Sequence, residues 1–258
     1  MDMLRRLIDY QIGWSNRLER LLPDGFQVDG NLDFIQSFVT PYLRPGLVVY
    51  DVGGGKQPMI STALKQQLAV RVVGIDIDQR ELESAPAGSY DQTICCDITK
   101  YSGCGDADVV LCQALLEHVA DTAVALRAIE SILKPGGVAL LFVPSANAAY
   151  ARLNLLLPET AKRAILFRVF PSSAKAQGFR AYYDRCTPRG IKKLAGELGL
   201  KPEHLSLYYY SRYFAFFAPL YALWRAWSLA FYLVNREQAA ETFSIALRKP
   251  PQVLGTNV

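Results

Sequence analysis

The sequence has few residues of the kinds that bind metal ions. It contains 2 histidines, His118 and His204, far apart in the chain, and its 5 cysteines include no pair of CxxC units. Cys95 and Cys112 fall in apolar, strand-like runs, where a thiol behaves as a small hydrophobic group. These features argue against a zinc site and a disulfide framework. We therefore expect a cytoplasmic protein with reduced cysteines and no bound metal.

Internal repeats, low-complexity linkers and a secretion signal are also missing. Residues 1–22 interleave charged residues such as Arg5, Arg6 and Asp9 with apolar ones, which breaks the continuous apolar core that an export signal needs. The chain has 258 residues, of which 51% are hydrophobic, so it can bury a core without disulfides or metal. We expect a single domain that covers residues 1–258 and carries no export signal.

The formal net charge is only +4, but it is unevenly distributed. Between residues 162 and 193 many basic side chains are accompanied by a single acid, Asp184. The basic residues of this stretch are Lys162, Arg163, Arg168, Lys175, Arg180, Arg185, Arg189, Lys192 and Lys193. The stretch predicts an anionic partner or a membrane surface.

Short apolar runs that end at glycine, aspartate or proline alternate with helical segments. The runs typical of buried parallel strands are residues 47–51, 70–75, 93–96, 107–112 and 137–143. One helix is predicted from its cap Asp121 to Leu133 and another from Thr187 to Gly199, and two further strands are predicted at 204–210 and 241–247. The pattern predicts an α/β fold: a doubly wound, Rossmann-like mixed sheet of seven strands with the last strand antiparallel, plus N-terminal helices and helical insertions.

A glycine-rich loop follows the first predicted strand. Gly53-Gly54-Gly55 comes directly after Tyr50-Asp51-Val52, and backbone without side chains lets a ligand lie against the carboxyl end of a sheet. Three glycines alone are a weak signal. However, Asp76 ends the second strand, where a carboxylate can accept hydrogen bonds from both hydroxyls of a ribose. A nicotinamide-binding GxGxxG loop is disfavoured, because Pro58 stands at the place of its third glycine.

Further downstream, Asp97 ends the third strand, Gln113-Ala-Leu-Leu-Glu-His118 follows the fourth and Leu133-Lys-Pro-Gly-Gly137 opens the fifth. In this order and spacing the chain resembles class I S-adenosylmethionine-dependent methyltransferases of the small-molecule group, closely over Leu47 to Pro144 and loosely beyond. The resemblance implies S-adenosylmethionine as the cofactor. We accordingly divide the chain into an N-terminal helical cap (1–45), a cofactor-binding core (46–144), a basic insertion (145–186) and a C-terminal substrate half (187–250).

The resemblance also assigns contacts with the cofactor. Gly53, Gly54 and Gly55 should lie near its methionine part, with Asp51 anchoring the loop or the methionine amino group. Asp76 should hold the ribose, and Ile77 and Ile98 should pack on opposite faces of the adenine. Asp97 should meet the adenine amine, and Gln113 should close the pocket at the end of the fourth strand. Lys56-Gln57-Pro58 departs from the family pattern, in which a small residue and then glycine are usual, and resembles members found among enzymes of surface-polysaccharide assembly.

His118 is the candidate catalytic residue. It follows the fourth strand, close to where the resemblance places the transferred methyl group, and an imidazole can take a hydroxyl proton near neutral pH. A histidine that only packs or hydrogen-bonds beneath the cofactor is the alternative. We interpret Asp78, Asp106 and Asp108 as structural acids and Glu117 as a surface acid of a helix.

The chain after the fourth strand also bears on the methyl acceptor. Gln113-Ala-Leu-Leu is neither the Asn-Pro-Pro-Tyr type of motif found in nitrogen-methylating enzymes of nucleic acids nor the Pro-Cys pair of RNA cytosine enzymes. Transfer from a sulfonium needs mainly alignment and a desolvated site, so a single indispensable base is not required. We expect an oxygen acceptor on a molecule other than a nucleic acid.

Residues 213–234 form an apolar segment with one charge, Arg225. Its length would suit a membrane-spanning helix, but the strand predicted at 241–247 has to rejoin the sheet, so we expect no crossing. A helical projection separates a polar stripe of Tyr221, Arg225, Ser228, Tyr232 and Arg236 from an apolar face of Leu220, Leu223, Trp224, Trp227, Phe231 and Val234. This pattern favours a helix lying in a membrane interface. A lid over a greasy substrate, a dimer contact and plain core packing are the alternatives.

Together these features predict an enzyme at the inner face of the membrane, bound peripherally, that O-methylates a glycan or a lipid-linked anionic acceptor. A quinone or another lipid-like small molecule is the alternative acceptor. A scaffold protein that kept the fold and lost catalysis is the alternative from another class, because the Lys56-Gln57-Pro58 loop is unusual. A homodimer is compatible with either function.

Overall fold

The computed structural model describes residues 2–156, 179–210, 212 and 214–252. Within them, seven strands form one sheet in the order β3-β2-β1-β4-β5-β7-β6. The strands are β1 Val48–Val52, β2 Arg71–Asp76, β3 Gln92–Cys95, β4 Ala107–Gln113, β5 Leu133–Pro144, β6 Lys201–Tyr208 and β7 Thr242–Arg248. β7 pairs antiparallel with both β5 and β6, whereas β1 to β5 are parallel. The predicted seven-stranded mixed sheet with an antiparallel last strand is confirmed.

Helices cover both faces of the sheet. The α-helices are α1 Asp2–Glu19, α2 Gly30–Asp33, α3 Thr62–Leu68, α4 Gln79–Glu83, α5 Thr122–Ile132, α6 Ala149–Leu156, α7 Pro188–Glu197 and α8 Ala218–Asn235. A π-helical turn, Phe34–Phe38, continues α2. The predicted helix after Asp121 is confirmed as α5, since Asp121 accepts hydrogen bonds from the backbone N–H groups of Ala123 and Val124.

Two apolar clusters hold the helices to the sheet. On one face Leu126 and Ile129 of α5 pack with Cys112 of β4. On the other face Phe34 of the cap packs with Leu111, the neighbour of Cys112 along the strand. Successive side chains of a strand point to opposite faces, so β4 contributes to both clusters in turn. Residues of β4 that lie two positions from Leu111 therefore point towards the cap, as Leu111 does.

The expectation that Cys95 is a buried strand residue is wrong. Cys95 is exposed, whereas Cys112 is buried as predicted. β3 is the first strand in the sheet order, and Gln92 and Thr93 are exposed with Cys95. A strand at the edge of a sheet has neighbours on one side only, so an apolar run there does not ensure burial.

Three residues of the polar stripe, Tyr221, Arg225 and Ser228, face the protein interior, whereas Arg236 is exposed. Arg225 of α8 forms an ion pair with Glu19 of α1, with 2.8 Å between Nη2 and Oε1, and both side chains are at least nine-tenths buried. Tyr221 donates a hydrogen bond to the other Glu19 oxygen. Two further residues of α1 form hydrogen bonds with the backbone that leads into α8. Ser15 donates to the Ala215 carbonyl, and Gln11 accepts from the Ala218 N–H. The two helices are thus joined by buried polar contacts, which we call the α1–α8 latch.

The outward face of α8 is apolar. Its exposed residues are Pro219, Leu220, Ala222, Leu223, Ala226, Trp227, Ala230, Leu233 and Val234. The expectation that Trp224 belongs to this face is wrong, because its ring is 5% exposed and packs against Phe214 and Tyr221. Of the helices in the described ranges, none has the length and hydropathy to span a bilayer.

The predicted basic stretch is only partly described. Lys162, Arg163, Arg168 and Lys175 lie outside the described residues. Arg185 forms ion pairs with Asp121 and Asp184, and Lys192 forms one with Glu237. These pairs neutralise part of the charge that the sequence shows at this end of the stretch.

Candidate active site

The glycine loop turns tightly at the end of β1. Gly53 and Gly55 have φ values of +81° and +48°, in the left-handed region that favours glycine. A β-carbon on Gly53 would lie 2.4 Å from Cδ1 of Leu115, and one on Gly54 would lie 2.5 Å from a carboxylate oxygen of Asp51. The loop therefore has no room for side chains at Gly53 and Gly54.

Asp51 lies beneath this loop and is fully buried. Its Oδ2 accepts a hydrogen bond of 2.8 Å from the N–H of Met59, at the far end of the loop. Burial raises the pKa of Asp51 to about 7, against the opposing effect of that hydrogen bond. Its Oδ1 has no hydrogen-bond partner among the described residues. Asp51 thus ties the loop together and keeps one buried acceptor oxygen.

A cavity of about 520 Å³ opens at the carboxyl ends of β1 to β4. Its lining includes Gly53, Asp76, Ile77, Asp97, Ile98 and His118 of the predicted site residues. The other predicted residues, Asp51, Gly54, Gly55 and Gln113, are not part of the lining. The sheet order brings the ends of β3, β2, β1 and β4 side by side, and this adjacency assembles the cavity from residues far apart in the chain.

The two acids in the lining have different environments. Asp76 is half-buried, and burial raises its pKa although its Oδ1 accepts a hydrogen bond of 2.9 Å from the N–H of Asp78. Asp97 accepts hydrogen bonds from the hydroxyl and the N–H of Thr99, at 2.7 and 2.9 Å, and the hydroxyl bond is the main cause of its lowered pKa. Asp97 is therefore ionised at neutral pH, and both carboxylates are held in fixed orientations.

His118 lies in the same cavity, at the end of a short 3₁₀ turn, Leu116–His118. Its Nδ1 is 3.1 Å from the carbonyl oxygen of Arg180. A carbonyl oxygen only accepts hydrogen bonds, so Nδ1 carries a proton in this contact. In the neutral ring the nitrogen without a proton is then Nε2, which lies 3.7 Å from Oε1 of the buried Glu117.

The interpretation of Glu117 as a surface acid is wrong. Its residue is 4% exposed, and its carbonyl oxygen accepts hydrogen bonds from the N–H groups of Tyr182 and Tyr183. Those bonds draw Glu117 under the chain segment that carries Phe179 and Tyr182. Burial raises the pKa of its carboxyl group to about 8. Asp78, Asp106 and Asp108 have structural contacts. Asp78 caps α4, Asp106 accepts a hydrogen bond from the Tyr50 hydroxyl, and Asp108 accepts one from the Val48 N–H.

Apart from Ile77 and Ile98, sequence reasoning missed the apolar part of the lining. Leu115, Val119, Val124, Phe179 and Tyr182 contribute to it. Leu115 belongs to the recognised motif and Val119 directly follows it, so their contribution to the cavity could have been anticipated. Phe179 and Tyr182 come from an irregular segment without periodicity, which gave no signal.

Comparisons with known proteins show which family the chain belongs to. A family model described as a methyltransferase domain matches residues 20–205. The chain belongs to this methyltransferase family. As a fold, this methyltransferase is similar to an S-adenosylmethionine-dependent methyltransferase from Mesorhizobium loti, with a TM-score of 0.55 over 86% of this chain and 99% of that one, at 18% identity.

Two curated relatives of the methyltransferase have the same name. It is 27% identical over 181 residues to the ubiquinone biosynthesis O-methyltransferase of Ralstonia nicotianae, covering 67% of this chain and 70% of that protein. It is 33% identical over 131 residues to the ubiquinone biosynthesis O-methyltransferase of Xanthomonas campestris pv. campestris, covering 48% of this chain and 52% of that protein. The second match thus spans about half of that relative.

S-adenosylmethionine is the cofactor of this methyltransferase. The residues of the site fit it in kind, because the cavity has the size of a small-molecule site and combines apolar walls with few polar groups. Asp76 supplies a carboxylate for a ribose, and the buried Asp51 Oδ1 is an acceptor that a cationic amino group would satisfy. The assignment of individual residues to parts of the cofactor stays a prediction.

Proposed function

We propose that this methyltransferase transfers the methyl group to a ring hydroxyl of a quinone precursor or a similar lipid-like aromatic molecule. The observation that carries the acceptor class is the name shared by the relatives from Ralstonia nicotianae and Xanthomonas campestris, which are ubiquinone biosynthesis O-methyltransferases. It supports the quinone alternative better than the glycan acceptor that the sequence alone favoured. No observation on the described residues favours a sugar.

S-adenosylmethionine supplies a methyl group on a sulfonium, which is already a good leaving group. The chain has to align the acceptor oxygen, exclude water and receive a proton. Leu115, Val119 and Phe179 give the cavity apolar walls that exclude water. We propose that His118 receives the hydroxyl proton at Nε2, and two contacts support this: the Arg180 carbonyl oxygen favours a proton on Nδ1, and the Glu117 carboxyl group lies 3.7 Å from Nε2.

The test is a methyl-transfer assay with purified protein and S-adenosylmethionine. The acceptors are hydroquinones and catechols with short isoprenyl chains, compared with polyprenyl-phosphate-linked saccharides. We expect a ring methyl ether, detected by mass spectrometry, and no methylated sugar. Methylation of the saccharides alone would overturn the proposed acceptor. A scaffold without catalysis would show no transfer to either class, and calorimetry would then show whether it binds the cofactor at all.

We propose further that α1 and α8 dock the enzyme on an anionic membrane surface. Every exposed residue of α8 is apolar, and its polar stripe is turned inward. The adjoining α1 exposes Leu7, Tyr10 and Trp14 together with Arg5 and Arg6. Exposed apolar side chains beside arginines are typical of helices that lie in a lipid interface.

Sedimentation with vesicles containing anionic lipid tests this surface. Leu223→Glu with Trp227→Glu should release the protein, because these residues are 69% and 57% exposed on the outward face. Ile35→Glu, an exposed apolar residue of the cap, is the matched control and should leave binding unchanged. High salt should weaken binding only in part, since it screens the arginines and leaves the apolar contribution. Unchanged vesicle binding with loss of a dimer would show instead that the face is a subunit contact.

A further inference from the structure

Gln113 is directed away from the cofactor cavity. It is the last residue of β4. Its side chain lies on the same face of the strand as those of Val109 and Leu111, which pack on the cap side of the sheet. Its Nε2 donates a hydrogen bond of 3.3 Å to Oδ1 of Asn31 in the cap. The two residues that follow, Ala114 and Leu115, do line the cavity. The end of β4 therefore contributes residues to two different regions, the cap side of the sheet and the cofactor cavity.

Ala114 makes this division possible. Its φ is +50°, a left-handed conformation that is uncommon for a residue with a β-carbon. Its N–H donates to the carbonyl oxygen of Phe142 on β5, at 3.0 Å, which holds the turn in place. Such conformations persist where the surrounding structure enforces them and are frequent at functional sites. The turn leaves Gln113 facing the cap while Leu115 reaches Gly53.

The cap presents Asn31 from a fixed position. The N–H of Asn31 donates to Asp29, which caps α2, at 2.9 Å. Tyr208 of β6 donates a hydrogen bond of 2.6 Å to Asp33 at the end of the same helix. A β-carbon on Gly30 would lie 2.6 Å from the Tyr208 ring, so this segment fits closely against the sheet edge. Asn31 thus lies on a short helix that is capped by Asp29 and joined to β6 through Asp33.

The two carboxamides have free hydrogen-bonding capacity. Their mutual bond uses one Nε2 hydrogen of Gln113 and the Oδ1 of Asn31. In the described part of the chain, Gln113 Oε1 and Asn31 Nδ2 make no other hydrogen bond. Asn31 is exposed and Gln113 half-exposed, so a ligand can reach both. One free acceptor and one free donor match a hydroxyl and a neighbouring oxygen, and two uncharged amides do not select for an anion.

We propose that Gln113 and Asn31 form an acceptor-binding pair that recognises two adjacent oxygens of a hydroxylated aromatic ring. One ring hydroxyl donates to Gln113 Oε1, and the neighbouring oxygen accepts from Asn31 Nδ2. The pair adjoins the cofactor cavity through Ala114, so the ring lies at the border between cap and cavity. This inference rests on the proposed function and makes it more specific, because it names the ring-oxygen pattern that the site selects.

Steady-state kinetics with an isoprenyl-substituted catechol and the corresponding monophenol tests the pair. Gln113→Leu and Asn31→Leu should each lower kcat/KM for the catechol by about tenfold, mainly through KM, as expected for a lost hydrogen bond. The monophenol lacks the hydroxyl that donates to Gln113, so Gln113→Leu should affect it much less, whereas Asn31→Leu should still lower its kcat/KM. The dissociation constant of S-adenosylmethionine, measured by calorimetry, should change by less than about twofold, within the scatter of such comparisons. Gln36→Leu, an exposed glutamine of the same cap, is the matched control.

The outcomes separate the inference from the proposed function. If the parent enzyme methylates the catechol and both variants match it, the inference fails and the function stands. If Gln113→Leu weakens cofactor binding and leaves the KM for catechol unchanged, Gln113 belongs to the cofactor pocket as the resemblance implies, and the pair is refuted. If the parent enzyme methylates no hydroxylated aromatic, the proposed function and the inference fail together.

Discussion

Removing Arg225 from the α1–α8 latch should cost several kcal/mol of stability, and Arg225→Met tests this. Arg225 donates to Glu19 at 2.8 Å, to the Tyr209 carbonyl at 2.6 Å and to the Phe26 carbonyl at 3.2 Å. Methionine keeps an unbranched, apolar side chain of similar length and removes all of these bonds. It also leaves the Glu19 carboxylate buried without its cation. Removing one partner of a buried ion pair costs about 3 to 5 kcal/mol.

Thermal unfolding measures the loss. For a chain of this size, about 3 to 5 kcal/mol corresponds to a decrease in Tm of about 6 to 20 °C. Arg236→Met is the matched control: Arg236 lies in the same sequence stripe but is exposed, so its loss should change Tm little. Since no residue of the latch lines the cofactor cavity, the variant should bind S-adenosylmethionine normally below its Tm.

A double variant sharpens the test. Glu19→Leu with Arg225→Met replaces both charges by apolar groups, so it should be more stable than Arg225→Met alone. A loss below about 1 kcal/mol for Arg225→Met, the value typical of exposed ion pairs, would refute the reasoning. A double variant whose loss equals the sum of the single losses would also refute it, because the two charges would then be independent.

Three further predictions concern the active site. Asp76→Ala should weaken cofactor binding by about 1.5 to 3 kcal/mol in calorimetry, as expected for charge-assisted hydrogen bonds. An unchanged affinity would show that Asp76 does not hold the ribose. His118→Ala should lower kcat by about a hundredfold if Nε2 takes the proton, whereas full activity per folded molecule would leave only a packing role. Burial raises the pKa of Glu117 from its ordinary value of 4.5 to about 8 in the folded protein. Its contribution to the free energy of unfolding is therefore complete below pH 4.5 and is lost as the pH rises to about 8. The parent should therefore lose stability relative to Glu117→Gln across this window in denaturant titrations, and parallel pH profiles would contradict the burial argument.

Local signals were enough to predict the fold and the frame of the site. Apolar runs of strand length alternate with helices, and the carboxyl ends of β1, β2 and β3 are marked by glycine or aspartate. Because the ends of neighbouring parallel strands meet at one edge, the sequence alone brought Gly53, Asp76 and Asp97 to one place. These residues do line a common cavity. The cap at Asp121 was equally visible, since capping is decided within one turn of helix.

Only the tertiary structure decided which surfaces are covered. A helical projection shows which residues of α8 share a face, but Glu19, some 200 positions earlier, determines that the stripe with Arg225 is the buried one. Likewise, Cys95 is exposed because the strand order leaves β3 at the edge, and Glu117 is buried because a later segment folds over it. The direction of Gln113 depends on the positive φ of Ala114 and on a cap residue far away in sequence. Burial is a property of contacts between distant segments, whereas periodicity and capping are properties of neighbouring residues, and this difference separates what the sequence determines from what the fold adds.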